Sequence, residues 1–428
     1  MSSINTTHNP WEEIPLRFVC KLNPSISFDD LDEDEDLTFL PMEKVKSGYF
    51  VPHTDKLSKH GSSYTAFENG DIILAKVTPC FENGNIAIAI GLVGGKGFGS
   101  SELFVIRPTA VDRRFLFYYF QSSDFKQDGE ASMTGAGGLK RVSPDVLRQH
   151  HLPYPCQDIQ RLIANYLDRE TARIDKLIAE KERMQALLDE KRSALISRVV
   201  TRGLDPNAPL KPSGLEWLGE IPGDWGLWRL KHLASEALLY GANEAALEDN
   251  QDWPRFIRIT DIGENGALKD ETFKSLSPDV AEPFLLIDGD LLLARSGATV
   301  GKSFIYRQSW GAACFAGYLI RFRCDFAKAL PDYLYLFAQS SAYWHQVSTG
   351  MIQATIQNFS AEKYGEIVVP LPPVKVQEKI VATLATTQTR FDSLTQEIRR
   401  SVAFLKERRA ALISSAVTGL IPLEDMAR

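Results

Sequence analysis

The chain has little cysteine: Cys20, Cys80, Cys156, Cys314 and Cys324 are the five in 428 residues. They are scattered, odd in number and contain no Cys-x-x-Cys pair. That argues against a disulfide framework and leaves isolated reduced thiols as the expectation. Long apolar runs are also lacking. The longest, near Ile86–Val93, falls far short of the ~20 residues that a membrane helix needs. Met1 to Pro10 is polar and shows no leader pattern. The expectation is therefore a soluble, cytoplasmic protein with no membrane partner. Nor is there a surplus of positive charge, since the formal net charge is −7. Much acid sits in one segment, Asp29 to Asp36, which reads as a solvated acidic loop. Net charge governs solubility and long-range steering, and a local basic groove can still bind phosphates.

Catalytic signatures are missing as well. Gly297-Ala-Thr-Val-Gly301-Lys302-Ser303 resembles a phosphate-binding loop, but a P-loop needs four residues between its first glycine and Gly-Lys, and here there are three. A helix should follow, with its N-terminus facing the phosphate, whereas Phe304-Ile305-Tyr306 reads as strand. A tight hairpin with a basic tip is the better reading, although an ATPase at Gly297–Ser303 stays as the enzyme alternative. Gly94-Gly95-Lys96-Gly97-Phe98-Gly99 lacks the spacing and the following helix of a dinucleotide fingerprint and reads as a flexible turn. The seven histidines form no metal-ligand pattern, so no metal site is expected. There is no Asn-Pro-Pro-aromatic motif of amino-methyltransferases, no nuclease-type acidic cluster with lysine and no assignable Ser/His/Asp set. No catalytic residue is assigned, and a binding role is favoured.

What is there is a duplication. Apolar residues make up 44% and charged residues 24%, as in ordinary globular proteins. The length exceeds one ordinary core and suggests two domains with something added. One constant offset relates Pro153-Tyr-Pro155 to Pro370-Leu-Pro372, Gln160 to Gln377, Ile163 to Ile380 and Arg173-Ile-Asp175 to Arg390-Phe-Asp392. It also relates Ala194-Leu-Ile-Ser197 to Ala411-Leu-Ile-Ser414 and Val200-Thr201 to Val417-Thr418. A gapless offset over many helical turns marks a duplicated rigid element. Upstream the match is looser: Gly70–Lys76 resembles Gly289–Arg295, Phe115–Ser122 resembles Tyr333–Ser340, and Leu139–Ser143 lies opposite Ile356–Ser360. One scaffold thus carries two different surfaces.

Each copy ends in a long helical pattern. Apolar positions Leu167, Ile174, Leu177, Met184, Leu188 and Leu195 step by threes and fours, with Glu170, Lys181 and Lys191 filling the remaining seam positions. The second copy offers Leu384, Phe391, Leu394, Ile398, Leu405 and Leu412. This is a coiled-coil spacing. A lone helix of ~40 residues would leave its seam in water, so the two are expected to pair with each other. Thr201 to Gly214, rich in proline and glycine, reads as a linker that turns the chain and permits antiparallel pairing. Short β-type runs precede each helix: Asp71–Val77, Ile86–Val93 and Leu103–Arg107, then Leu291–Ala294, Ser303–Tyr306 and Tyr318–Phe322. Aromatic helices at Phe115–Ser122 and Tyr333–Ser340 follow them, and the fold class is α+β.

Thr201-Arg-Gly-Leu-Asp-Pro-Asn, followed by Lys211-Pro-Ser-Gly-Leu-Glu-Trp-Leu-Gly-Glu-Ile-Pro-Gly-Asp-Trp225, resembles the central conserved region of the specificity subunits of type I restriction-modification systems. So do Pro153-Tyr-Pro155 with Gln160 and Ile163, and Pro370-Leu-Pro-Pro373 with Gln377, Glu378 and Ile380. The first copy departs from the pattern at Cys156-Gln-Asp-Ile159. The resemblance implies two target recognition domains, each followed by a long helix, with the helices pairing as an antiparallel coiled coil. The expected divisions are 1–155 (first recognition domain), 156–203 (first helix), 204–224 (linker), 225–372 (second recognition domain) and 373–428 (second helix). It implies a non-catalytic subunit that binds double-stranded DNA, two modification (methyltransferase) subunits and restriction (motor-nuclease) subunits. No cofactor is expected in this chain, with S-adenosylmethionine, ATP and Mg on the partners. Each domain would read one half of a split target. The candidate DNA-binding residues are Lys76, Thr78, Lys140, Arg141, Arg295, Ser296, Lys302, Gln353, Gln357 and Asn358, because Gln and Asn can pair with adenine and Arg with guanine. The alternative from another class is a coiled-coil DNA-binding adaptor without a methyltransferase partner.

Overall fold

The computed structural model describes residues 11–28, 36–56, 64–136, 138–263, 266–352 and 358–427. It divides into two units. One takes Met1–Glu182 together with Arg399–Arg428, the other Arg183–Ile398. The division falls inside both long helices, Gln157–Arg202 and Val374–Val417. Prolines precede each helix, Pro155 and Pro372-Pro373, and a left-handed glycine ends it: Gly203 at φ 79° and Gly419 at φ 75°.

The first unit holds a four-stranded antiparallel sheet in the order Cys20–Leu22, Leu103–Pro108, Ile72–Ala75, Ile86–Ile88. A second sheet runs in the order Thr54–Lys56, Asp36–Leu40, Lys96–Gly99, Thr65–Glu68, with Asp36–Leu40 and Lys96–Gly99 parallel. The apolar strand Ile72–Ala75 is buried on both faces. Ile72 and Leu74 join a core with the helices, while Ile73 and Ala75 join a core with Leu40, Phe67 and Val105. That explains a continuous apolar run where alternation would mark a half-exposed strand. The helices Arg113–Tyr119, Ser123–Ala131 and Pro144–Gln149 cover the sheet, each with a side-chain cap, from Asp112, Ser122 and Ser143.

The second unit repeats this plan. Its antiparallel sheet runs Leu239–Tyr240, Leu319–Phe322, Leu291–Ala294, Ser303–Ile305. Arg255–Ile257 and Ala313–Phe315 form the parallel pair. Leu291 and Leu293 face one core, Leu292 and Ala294 another. The Gly-Asp turn before the central strand has the same role in both units. Asp71, 1% exposed, accepts from Glu68 N and from the Arg107 guanidinium at 2.7 and 2.8 Å. Asp290 accepts from Ile287 N and from Arg323 at 2.9 and 2.7 Å. A carboxylate this buried requires such partners. Gln160 and Gln377 are equally buried and equivalent. Each accepts from the backbone N–H that opens a covering helix, Asp112 and Leu330, and donates to the carbonyl of Pro155 or Pro372.

Three readings of the sequence are corrected. Lys96–Gly99 is a strand between two others and not a flexible turn. Its glycines serve close approach, since a Cβ on Gly97 would lie 2.5 Å from the Phe67 ring and one on Gly99 2.5 Å from the Leu40 carbonyl. Residues 204–224, read as a linker, form a packed hairpin, Leu210–Pro212 against Glu220–Pro222, with Ile221 buried and Trp217 and Leu218 against the second core. Asp71, Lys76, Val77, Tyr306 and Tyr318 lie just outside the strands assigned to them, and Ile86–Val93 is strand only to Ile88. The acidic segment lies outside the described residues except Asp36, which opens a strand.

The long helices do pair antiparallel. In the first unit Ile174 and Ile178 pack with Leu405, flanked by Val402 and Leu412. Arg409 donates to Asp175 and Lys406 faces Glu182, so one number falls as the other rises. In the second unit Arg192 reaches Asp392 and stacks over Phe391. Leu167, Ile174, Leu384, Phe391 and Leu405 are buried as expected, and Leu188, Leu195 and Leu412 are half-buried. Leu177 and Leu394 are not seam residues: they are 40% and 46% exposed, and Met184 is 52% exposed. A heptad series of buried or half-buried positions runs through 167, 171, 174, 178, 181, 185, 188, 192 and, in the partner, 384, 388, 391, 395, 398, 402, 405. An unbroken heptad phase therefore takes Ile178 over Leu177 and Thr395 over Leu394, at the cost of polar residues in the seam.

Candidate nucleic-acid interface

At one end of each central strand the same backbone scheme holds different side chains. In the first unit Lys76 follows the strand Ile72–Ala75. Its N–H donates to Glu102 O, and its carbonyl accepts from Val142 N. Thr78 N donates to Lys140 O, and Val77 bridges Arg141. In the second unit Arg295 follows Leu291–Ala294. Its N–H donates to Tyr318 O, its carbonyl accepts from Phe359 N, and Ser296 bridges Asn358. The equivalences are therefore Lys76 with Arg295, Arg141 with Asn358 and Glu102 with Tyr318. Even the cations agree: Lys76 Nζ donates to Ser101 O at 2.6 Å and Arg295 to Gly317 O at 3.4 Å.

The side chains diverge from there. In the first unit Arg141 grips Glu102 through Nε at 2.9 Å and through its terminal nitrogen at 2.8 Å. The Arg141 hydrogen bond holds the Glu102 carboxyl below the ordinary carboxylate range, against partial desolvation and with help from Lys76. In the second unit the guanidinium of Arg295 lies 4.6 Å from the Tyr240 ring centroid and donates to Asn358 Oδ1 at 3.4 Å. Tyr318 beside it is 68% exposed, and among the described residues its hydroxyl has no side-chain hydrogen bond.

The structure thus brings Lys76, Thr78, Lys140 and Arg141 together, and separately Arg295, Ser296 and Asn358. Lys302 is exposed where the hairpin from the 3-10 turn Gly297–Thr299 enters the strand Ser303–Ile305, as the tight-hairpin reading expects. Gln353 and Gln357 lie outside the described residues. Sequence reasoning missed Glu102, Tyr318 and Tyr240. None sits in a motif, and a glutamate is not an obvious choice against phosphate. For Glu102 and Tyr318 the only signal is position, immediately before an apolar strand in each copy, while Tyr240 lies inside the strand Leu239–Tyr240. Among the described residues no helix is long and apolar enough to cross a membrane.

Comparison with known proteins agrees with this duplication. The family model of the type I restriction modification DNA specificity domain matches residues 8–184 and 243–402. The EcoAI specificity subunit of Escherichia coli is 36% identical over 162 residues, which cover 36% of this chain and 27% of that one. The EcoEI specificity subunit of Escherichia coli is 24% identical over 87% of this chain and 77% of its own length. A solved chain described under complex assembly and conformational transition of the type I R-M system superposes with a TM-score of 0.73. It is 18% identical, over 96% of this chain and 98% of that one.

Proposed function

The chain belongs to the type I restriction-modification DNA specificity family, and from that premise we propose that its two units read the two halves of a split, asymmetric DNA target. The observation that carries this reading is the matched pair of clusters. One set of backbone hydrogen bonds presents Lys76, Glu102 and Arg141 in the first unit and Arg295, Tyr318 and Asn358 in the second. A duplicated reader of a symmetric site would have no need of two surfaces. Cations near the strand ends supply phosphate attraction, and the fork of an arginine or the amide of an asparagine supplies base discrimination. Thr78 and Lys140 flank the first cluster, Ser296 and Lys302 flank the second, and each pair belongs to the contact surface of its own unit.

In this reading the chain itself performs no covalent chemistry. It acts in the cytoplasm with two modification subunits that methylate adenine using S-adenosylmethionine, and with restriction subunits that cleave unmethylated DNA using ATP and Mg. The test is domain replacement. With residues 11–152 exchanged for those of a relative, methylation mapping in cells should show one half of the target changed and the other kept. If both halves change together, the units do not read separately.

A further inference from the structure

We propose that Glu102 and Tyr318, which occupy one framework position in the two units, are specificity-determining residues: Glu102 positions Arg141 for a guanine, and Tyr318 touches a base directly beside Arg295. The inference rests on the DNA-reading assignment above and goes beyond it by naming a residue in each unit and its chemistry.

The geometry of Arg141 is the first argument. A guanidinium has five N–H donors in a rigid fork. Glu102 takes the Nε–H and one N–H of the adjacent terminal nitrogen, at 2.9 and 2.8 Å. The outer edge, with one N–H from each terminal nitrogen, stays free of Glu102. Those two donors match the O6 and N7 acceptors of guanine in the major groove. An exposed arginine otherwise samples many rotamers and loses that freedom on binding. Here Glu102 holds it in place beforehand, and Glu102 is itself near Lys76, whose Nζ is tied to Ser101 O.

The second unit has a different solution at the same place. Arg295 is held by Tyr240, Asn358 and Gly317 O, so it needs no carboxylate. The equivalent of Glu102 is free to be Tyr318, whose ring is 68% exposed. Its carbonyl is fixed by Arg295 N at 3.0 Å, so the side chain departs from a rigid point next to a positioned guanidinium. An aromatic ring there offers an apolar face to a thymine methyl and a hydroxyl to a base edge.

The experiment uses the full chain co-expressed with its modification subunits and maps methylated sites in cells for wild type, Glu102→Gln and Tyr318→Ala. Glutamine keeps the size of Glu102 and loses the ion pair. In Glu102→Gln, discrimination should fall by about 5- to 150-fold at one G·C position of the first half-site, with the second half-site unchanged. In Tyr318→Ala the converse should hold, with one position of the second half-site relaxed. The proposal is overturned if either variant keeps full discrimination in its own half, if either relaxes both halves, or if Glu102→Gln fails to assemble, which would make the residue structural. A wild-type first half-site with no G·C pair would also overturn the Glu102 assignment. If wild type shows no two-part methylated target at all, it is the underlying reading that fails, and the two failures are distinguishable.

Discussion

The backbone N–H of Ser123 donates to the hydroxyl of Ser414 at 2.9 Å, joining the first globular part to the second long helix. Its counterpart is Ser341 N donating to Ser197 Oγ, also at 2.9 Å. In each unit the helix that docks here is not the one that follows the domain in sequence. Ile413, Ala416, Val417 and Met426 are thereby buried in the first core, and Ile196, Val199 and Val200 in the second.

Truncation after Ile398 should therefore damage the beginning of the chain. The four C-terminal side chains just named in the first core are each 1% exposed or less, and losing any one large apolar side chain from a core costs about 2–5 kcal/mol. Limited proteolysis of the truncated chain should cut within residues 11–152 and leave 183–398 resistant. Equal resistance of the two regions would contradict the crosswise packing.

The seam phase gives a sharper contrast between neighbours. Ile178 is 9% exposed and packs with Ile174 and Leu405, while Leu177 is 40% exposed. Ile178→Asp places a charge where it has no partner, costing several kcal/mol; Leu177→Asp should cost within about 1 kcal/mol. Thermal melts of the two variants should differ clearly, and similar melts would refute the register.

Gln160→Ala leaves the Asp112 N–H and the Pro155 carbonyl without their buried partner, and each orphan costs about 1–3 kcal/mol. Gln377→Ala should act likewise on Leu330 N and Pro372 O. Two-probe denaturation, with one reporter in each unit, should show each variant lowering the midpoint of its own unit more than that of the other.

Thiol reactivity should appear first at one place. Burial pushes the thiols of Cys20, Cys314 and Cys324 up to about 12. At pH 8 almost none of each is thiolate, and the thiolate is the nucleophile. Cys156 is exposed. Brief alkylation of the native chain followed by peptide mass analysis should label Cys156 first, and early labelling of Cys314 would show that the core opens.

The sequence by itself determined the duplication, the two long helices and the apolar central strands, because a constant offset and a heptad period are properties of residue order alone. It singled out Lys76, Arg141, Arg295 and Asn358 by their basic and amide side chains. Only the tertiary structure decided the rest. Leu177 and Ile178 are both apolar neighbours, and the choice between them depends on the phase of a partner helix far away in the chain. Gly97 and Gly99 resemble turn residues until Phe67 and Leu40 close in on them. Glu102 and Tyr318 share no chemistry, so no pattern links them; what links them is a backbone hydrogen bond from Lys76 and from Arg295. Which helix end fills which core likewise follows from packing between segments distant in sequence, and residue order does not carry that information.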